Sequence, residues 1–197
     1  MSKTPEILSD YVRAAVDFVR RSVGMLLDGS ETSLAVLDHY LSQVPRDRPE
    51  IVSLVAPAVA AYFGEVVRHR FGGEWVLGED PASWQLVLPE GAVTFSPVGQ
   101  VVAAIFQSEV DGYDTGFEIA APLRKDIEAA LGHAAPVTAE YYYSLTGRFE
   151  TLHYLMDLVA GLKARAMEEQ AKKQGATAES PETDGPKDAD HKDKAEG

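Results

Sequence analysis

The stretch Ile51–Trp75 reads IVSLVAPAVAAYFGEVVRHRFGGEW, the most apolar run in the chain, and a glycine pair ends it abruptly. At about 100° per residue, Ile51, Val52, Val55, Val59, Tyr62, Phe63 and Val66 share one broad arc of a helix, with Leu54 and Ala58 at its margin and Arg68 opposite. An apolar arc that wide predicts a central helix packed against several neighbours. Pro57 either opens the helix in its first turn or kinks it, and Gly72-Gly73 stops it, since glycine takes the left-handed conformation that helix ends need. The run reads as too short and too interrupted to span a bilayer, which takes about 20 apolar residues. It is expected to be core.

Upstream, apolar residues from Ile7 to Leu26 recur at helical spacing and predict a helix over about Pro5–Leu27. Asp28-Gly29-Ser30 breaks it, and Ser30 is expected to cap a second helix carrying Leu34, Leu37, Tyr40, Leu41 and Val44. Downstream the period changes. Glu74–Leu77, Trp84–Leu88 and Ala92–Phe95 are short β-rich segments separated by Gly78-Glu79-Asp80-Pro81 and Pro89-Glu90-Gly91, which predicts a three-stranded antiparallel meander with Trp84, Leu86 and Leu88 facing the helices. Ser96-Pro97 marks a helix start, Glu109–Glu118 a loop, Pro122–Leu131 a short helix, and Thr138 onward a long helical pattern broken near Gly147.

The fold class expected is therefore α+β: helix-rich, with three N-terminal helices, a small antiparallel three-stranded meander and C-terminal helices. One globular domain is expected over 1–172. Residues 173–197 hold no apolar side chain larger than alanine and read as a disordered acidic and lysine-rich tail.

The chain has 197 residues, no cysteine and a net charge of −13. The missing cysteines exclude disulfides, thiolate metal sites and cysteine nucleophiles. Without a secretory h-region or a transmembrane pattern, the reading is a cytoplasmic protein. From residue 175 onward, seven acidic residues against three lysines leave −4, so the body itself is acidic. That balance argues against nucleic acid, whose phosphates call for clustered Lys and Arg, and suits another protein, a basic one among the options.

The runs LLDGSETSLAVLDHYL (Leu26–Leu41), AYFGEVVRHRFGGEW (Ala61–Trp75) and VTFSPVGQVVAAI (Val93–Ile105) together resemble a widespread family of small uncharacterised bacterial domains. Phe63 stands where that pattern has leucine and Gln100 where it has lysine. The resemblance spans roughly Leu26–Gly116 and implies a bacterial cytoplasmic domain, with no activity or site attached.

Candidate chemistry is sparse. Glu65 and His69 lie one helical turn apart beside Trp75, a spacing that suits two metal ligands, an acid/base pair or an ordinary structural pair. His153 and Asp157 repeat the spacing. Asp28 and Asp38 with Ser30 and Ser33 gather carboxylates and hydroxyls near the second helix. Glu109, Asp111, Asp114 and Glu118 invite a calcium reading, but their spacing does not fit a calcium-binding loop. Tyr141, Tyr142 and Tyr143 cannot all face inward on one helix, which points to a partner surface or a homodimer contact. No phosphate-binding loop, dinucleotide fingerprint, nucleophile elbow or zinc helix motif occurs. The resulting expectation is a non-catalytic protein-binding or regulatory module, of adaptor or immunity type, with no catalytic residue, metal, cofactor, membrane or nucleic acid assigned. Glu65, His69, Trp75, Tyr141, Tyr142 and Tyr143 are its candidate binding residues. The alternative is a small enzyme or metal-dependent hydrolase at Glu65 and His69.

Overall fold

In the computed structural model, residues 5–132 and 136–178 are described, and the fold is α+β and helix-rich. Helices α1 (Glu6–Val23), α2 (Ser33–Ser42) and α3 (Pro49–Phe71) precede β1 (Glu74–Val76), β2 (Gln85–Val87) and β3 (Val93–Phe95). After them come α4 (Pro97–Phe106), β4 (Glu118–Ile119), α5 (Ala121–Leu131), α6 (Ala139–Tyr143) and α7 (Leu145–Ala178). The chain divides into two compact units, Met1–Ala160 and Gly161–Gly197. The described part of the second is the helical run 161–178. Most of the tail expected over 173–197 lies outside the described residues, and 173–178 continue α7.

The central helix is longer than its sequence suggests. Pro49 takes the first-turn position, and α3 runs for 23 residues straight through Pro57, which forfeits one backbone hydrogen bond. By length and composition α3 could cross a bilayer, contrary to the sequence reading of a run too short to do so. Its apolar side chains are instead taken up within the fold, where α1 and α4 both pack against it, and Val55, Val59, Phe63 and Val67 are buried. Arg68, expected on the solvent side, is also buried.

Other boundaries shift for local reasons. Gly24, at φ 74°, closes α1 four residues early, its N–H donating to the Arg20 carbonyl, and leaves Leu26 exposed. Ser30 does not cap α2. Its hydroxyl and N–H both bond Asp28, at 2.5 and 3.0 Å, so it closes the turn instead. Ser96 does cap α4, accepting from Gly99 N–H at 3.1 Å.

The sheet has four antiparallel strands in the order β1-β2-β3-β4, one more than expected. The extra strand comes from the end of the acidic loop, where Val93 pairs with Ile119. Trp84, Leu86 and Leu88 are buried, as their alternation requires. The loop before β4 is strapped to α4: Gln100 Nε2 donates to the carbonyls of Thr115 at 3.0 Å and Gly116 at 3.1 Å, and Gly99 leaves room for the Asp114 carbonyl. The long C-terminal helical pattern breaks at Ser144, between α6 and α7, rather than at Gly147. Gly147 lies against the Tyr141 carbonyl where a side chain would clash, so it lets α6 fold back onto α7.

Candidate functional site

The Glu65 carboxylate and the His69 ring each hydrogen-bond other groups. Oε1 of Glu65 accepts from Arg68 Nε and from Trp75 Nε1, and Oε2 accepts from Arg68 Nη2, each at 2.8 Å. His69 turns its Nδ1–H to the backbone carbonyl of Glu65 at 2.7 Å. The Glu65–Arg68 pair is buried, and the bonded carboxylate holds the guanidinium further above its already high value. Gly64 completes the arrangement, because a side chain there would collide with the Trp75 ring. The staple thus joins the end of α3 to β1 across the turn made by Gly72 (φ 79°) and Gly73 (φ 118°).

A cavity of about 700 Å³ opens beside this staple, lined by Ser9, Arg13, Asp28, Tyr62, Glu65 and His69 among others. Tyr62 contributes structure: its hydroxyl oxygen accepts from Gly29 N–H at 2.7 Å and shares a 2.8 Å hydrogen bond with the Ser33 hydroxyl. Asp28 is held below the usual carboxylate range by its bonds from Ser30. Among the described residues no group of three His, Asp or Glu stands close enough to hold a metal ion. His153 does not meet Asp157 as their spacing suggested. It accepts from Arg70 Nη2 at 3.1 Å and lies edge-on to Phe71.

The three tyrosines stand at a different place. α6 presents them at the mouth of a cleft of about 850 Å³ whose walls include Phe117, Ile119 and the first turns of α7. Tyr141 and Tyr142 are 38% and 44% exposed, and Val137 and Tyr154 add further exposed apolar surface to the same cleft. Tyr141 donates its hydroxyl to Glu150, and that hydrogen bond pushes its pKa up to about 12.

A residue that sequence reading passed over forms part of the cleft wall. Arg148 is 2% exposed, and its guanidinium carbon lies 4.2 Å from the Tyr142 ring centroid, 5.3 Å from that of Tyr143 and 5.7 Å from that of Phe117. Its Nε has no hydrogen-bond partner, and among the described residues no carboxylate pairs with it. A desolvated cation–π contact returns about 2 kcal/mol, whereas the effective burial penalty of an ion is several kcal/mol. The rings only partly offset the burial. One signal was available in the sequence: Arg148 falls inside the apolar helical stripe of Leu145, Phe149 and Leu152.

Asp38 positions this wall. Its carboxylate accepts from the N–H groups of Leu145 and Thr146 at 2.6 and 3.1 Å and from the Thr146 hydroxyl at 2.6 Å, so a residue of α2 caps α7. Burial pushes its carboxyl above the usual range against those three bonds. The chain matches no protein-family model, no curated protein and no solved structure.

Proposed function

We propose that the chain is a non-catalytic protein-binding module whose contact face is the cleft bordered by Tyr141, Tyr142 and Tyr143. The observation that carries this reading is the clustering of exposed Tyr141 and Tyr142 with Val137 and Tyr154 around one concave surface. Tyrosine supplies large, rigid contact area at low entropic cost and is enriched at protein interfaces. The net charge of −13 adds long-range attraction for a partner that is basic overall. Against the hydrolase reading, both oxygens of Glu65 are already engaged by Arg68 and Trp75, which leaves the carboxylate poorly disposed to take a proton or bind a metal. Trp75 accordingly belongs to the staple rather than to the contact face.

Site-specific photo-crosslinking tests the proposal. A benzoylphenylalanine at Tyr142 is expected to give one discrete adduct in cells expressing the full chain, and one at His69 to give none. The same adduct pattern at both positions, or no adduct at Tyr142, would overturn it.

A further inference from the structure

The geometry points to a carboxylate-binding site at the Arg148 wall of the aromatic cleft, built to take a single carboxylate attached to an apolar side chain or chain end of a partner protein. This inference rests on the reading of the cleft as a contact face and names the chemistry recognised there.

The argument begins with an imbalance. Arg148 is 2% exposed and carries a full positive charge, yet its Nε finds no acceptor and, among the described residues, no carboxylate pairs with it. Glu150 stands two residues away in a chain rich in acid, and its carboxylate is taken by the Tyr141 hydroxyl instead. A buried cation that the fold leaves without an acceptor, in the wall of an open cleft, is an incomplete pair. The missing half is an anion.

Shape and charge narrow the anion. A guanidinium presents its N–H groups in a planar fork that matches both oxygens of a carboxylate. Tyr142, Tyr143 and Phe117 surround the fork with ring surface, which accommodates the carbon skeleton beside the charge and not a hydrated ion. Among the described residues Arg148 is the one unpaired cation lining the cleft, with Glu150 also on its wall, so a phosphate of charge near −2 would be left under-compensated where a carboxylate would not. Binding exchanges hydrogen bonds and leaves every covalent bond intact.

The test uses the ¹⁵N-labelled full chain and follows the Nε–H resonance of Arg148 by NMR while N-acetyl-phenylalanine is added. N-acetyl-phenylalaninamide and inorganic phosphate are the comparison ligands. The expected result is a saturable shift with the free acid at roughly millimolar concentration. The amide should bind at least about tenfold more weakly, as a lost charge-assisted bond requires, and phosphate should produce no comparable shift. Arg148→Lys keeps the charge but loses the fork, and it should weaken the acid by a similar factor while remaining folded by its dispersed spectrum. Equal binding of acid and amide, tighter binding of phosphate, or no saturable shift would each overturn the assignment. If the resonance fails to respond while the Tyr142 crosslink persists, the carboxylate assignment falls and the contact face stands. If it responds without any crosslink, the anion site stands and the protein-binding reading falls.

Discussion

Trp75 donates its indole N–H to Oε1 of Glu65 across 2.8 Å, and its ring lies against Gly64, where there is no room for a Cβ. Together with the bidentate grip of Arg68, this makes the Gly64-Glu65 pair a joint between the central helix and the sheet. Removing one half of a buried pair strands the other charge and costs about 3–5 kcal/mol. Glu65→Ala should therefore lower the unfolding free energy by about 3 kcal/mol, measured by urea denaturation. A catalytic glutamate would instead leave stability unchanged or raise it on removal.

Asp38→Ala tests the long-range cap. It removes three hydrogen bonds from the start of α7, and each buried donor left unmade costs about 1–3 kcal/mol, relieved in part where water reaches it. The expected loss is about 2 kcal/mol. Hydrogen exchange should quicken at Leu145 and Thr146 before it does in α3.

Tyr141 should titrate late. Its hydrogen bond to Glu150 disfavours the phenolate, so its ¹³Cζ resonance is expected to move only near pH 12, against an ordinary value of 10.0. Because the folded value is raised, whatever stability the bond contributes is intact below about pH 10 and lost as pH rises through about 12. In Glu150→Gln the transition should fall back toward the ordinary value.

Much of the fold was legible because its signals are local. Gly72-Gly73, Ser96-Pro97 and the alternation through Trp84, Leu86 and Leu88 report elements that neighbouring residues alone specify. The contacts that define the site are not of that kind. Asp38 meets Leu145 across 107 positions of chain, and β4 exists only because Val93 offers an edge to Ile119. Glu65 stands out in the sequence as an unusual carboxylate in an apolar helix, but its spacing to His69 does not reveal the bonds that it accepts from Arg68 and Trp75. Arg148 was masked by a rule that holds nearly everywhere, that arginine on a helix faces water.

Arg148→Met should stabilise the isolated protein. Replacing a buried, unpaired guanidinium by an apolar chain of similar length removes the burial penalty and forfeits a cation–π contact worth about 2 kcal/mol. A gain of roughly 1 kcal/mol is expected, read as a rise in Tm of a few degrees. A loss of stability would mean that the aromatic rings alone satisfy the cation.

The most direct measurement is calorimetric titration of the crosslinked partner into three proteins: the unaltered chain, Tyr142→Ala and His69→Ala. With the cleft as the contact face, Tyr142→Ala should weaken binding by about tenfold or more, and His69→Ala should bind like the unaltered chain. The reverse pattern, with His69→Ala impaired and Tyr142→Ala unaffected, would move the contact to the cavity beside Glu65 and contradict the assignment.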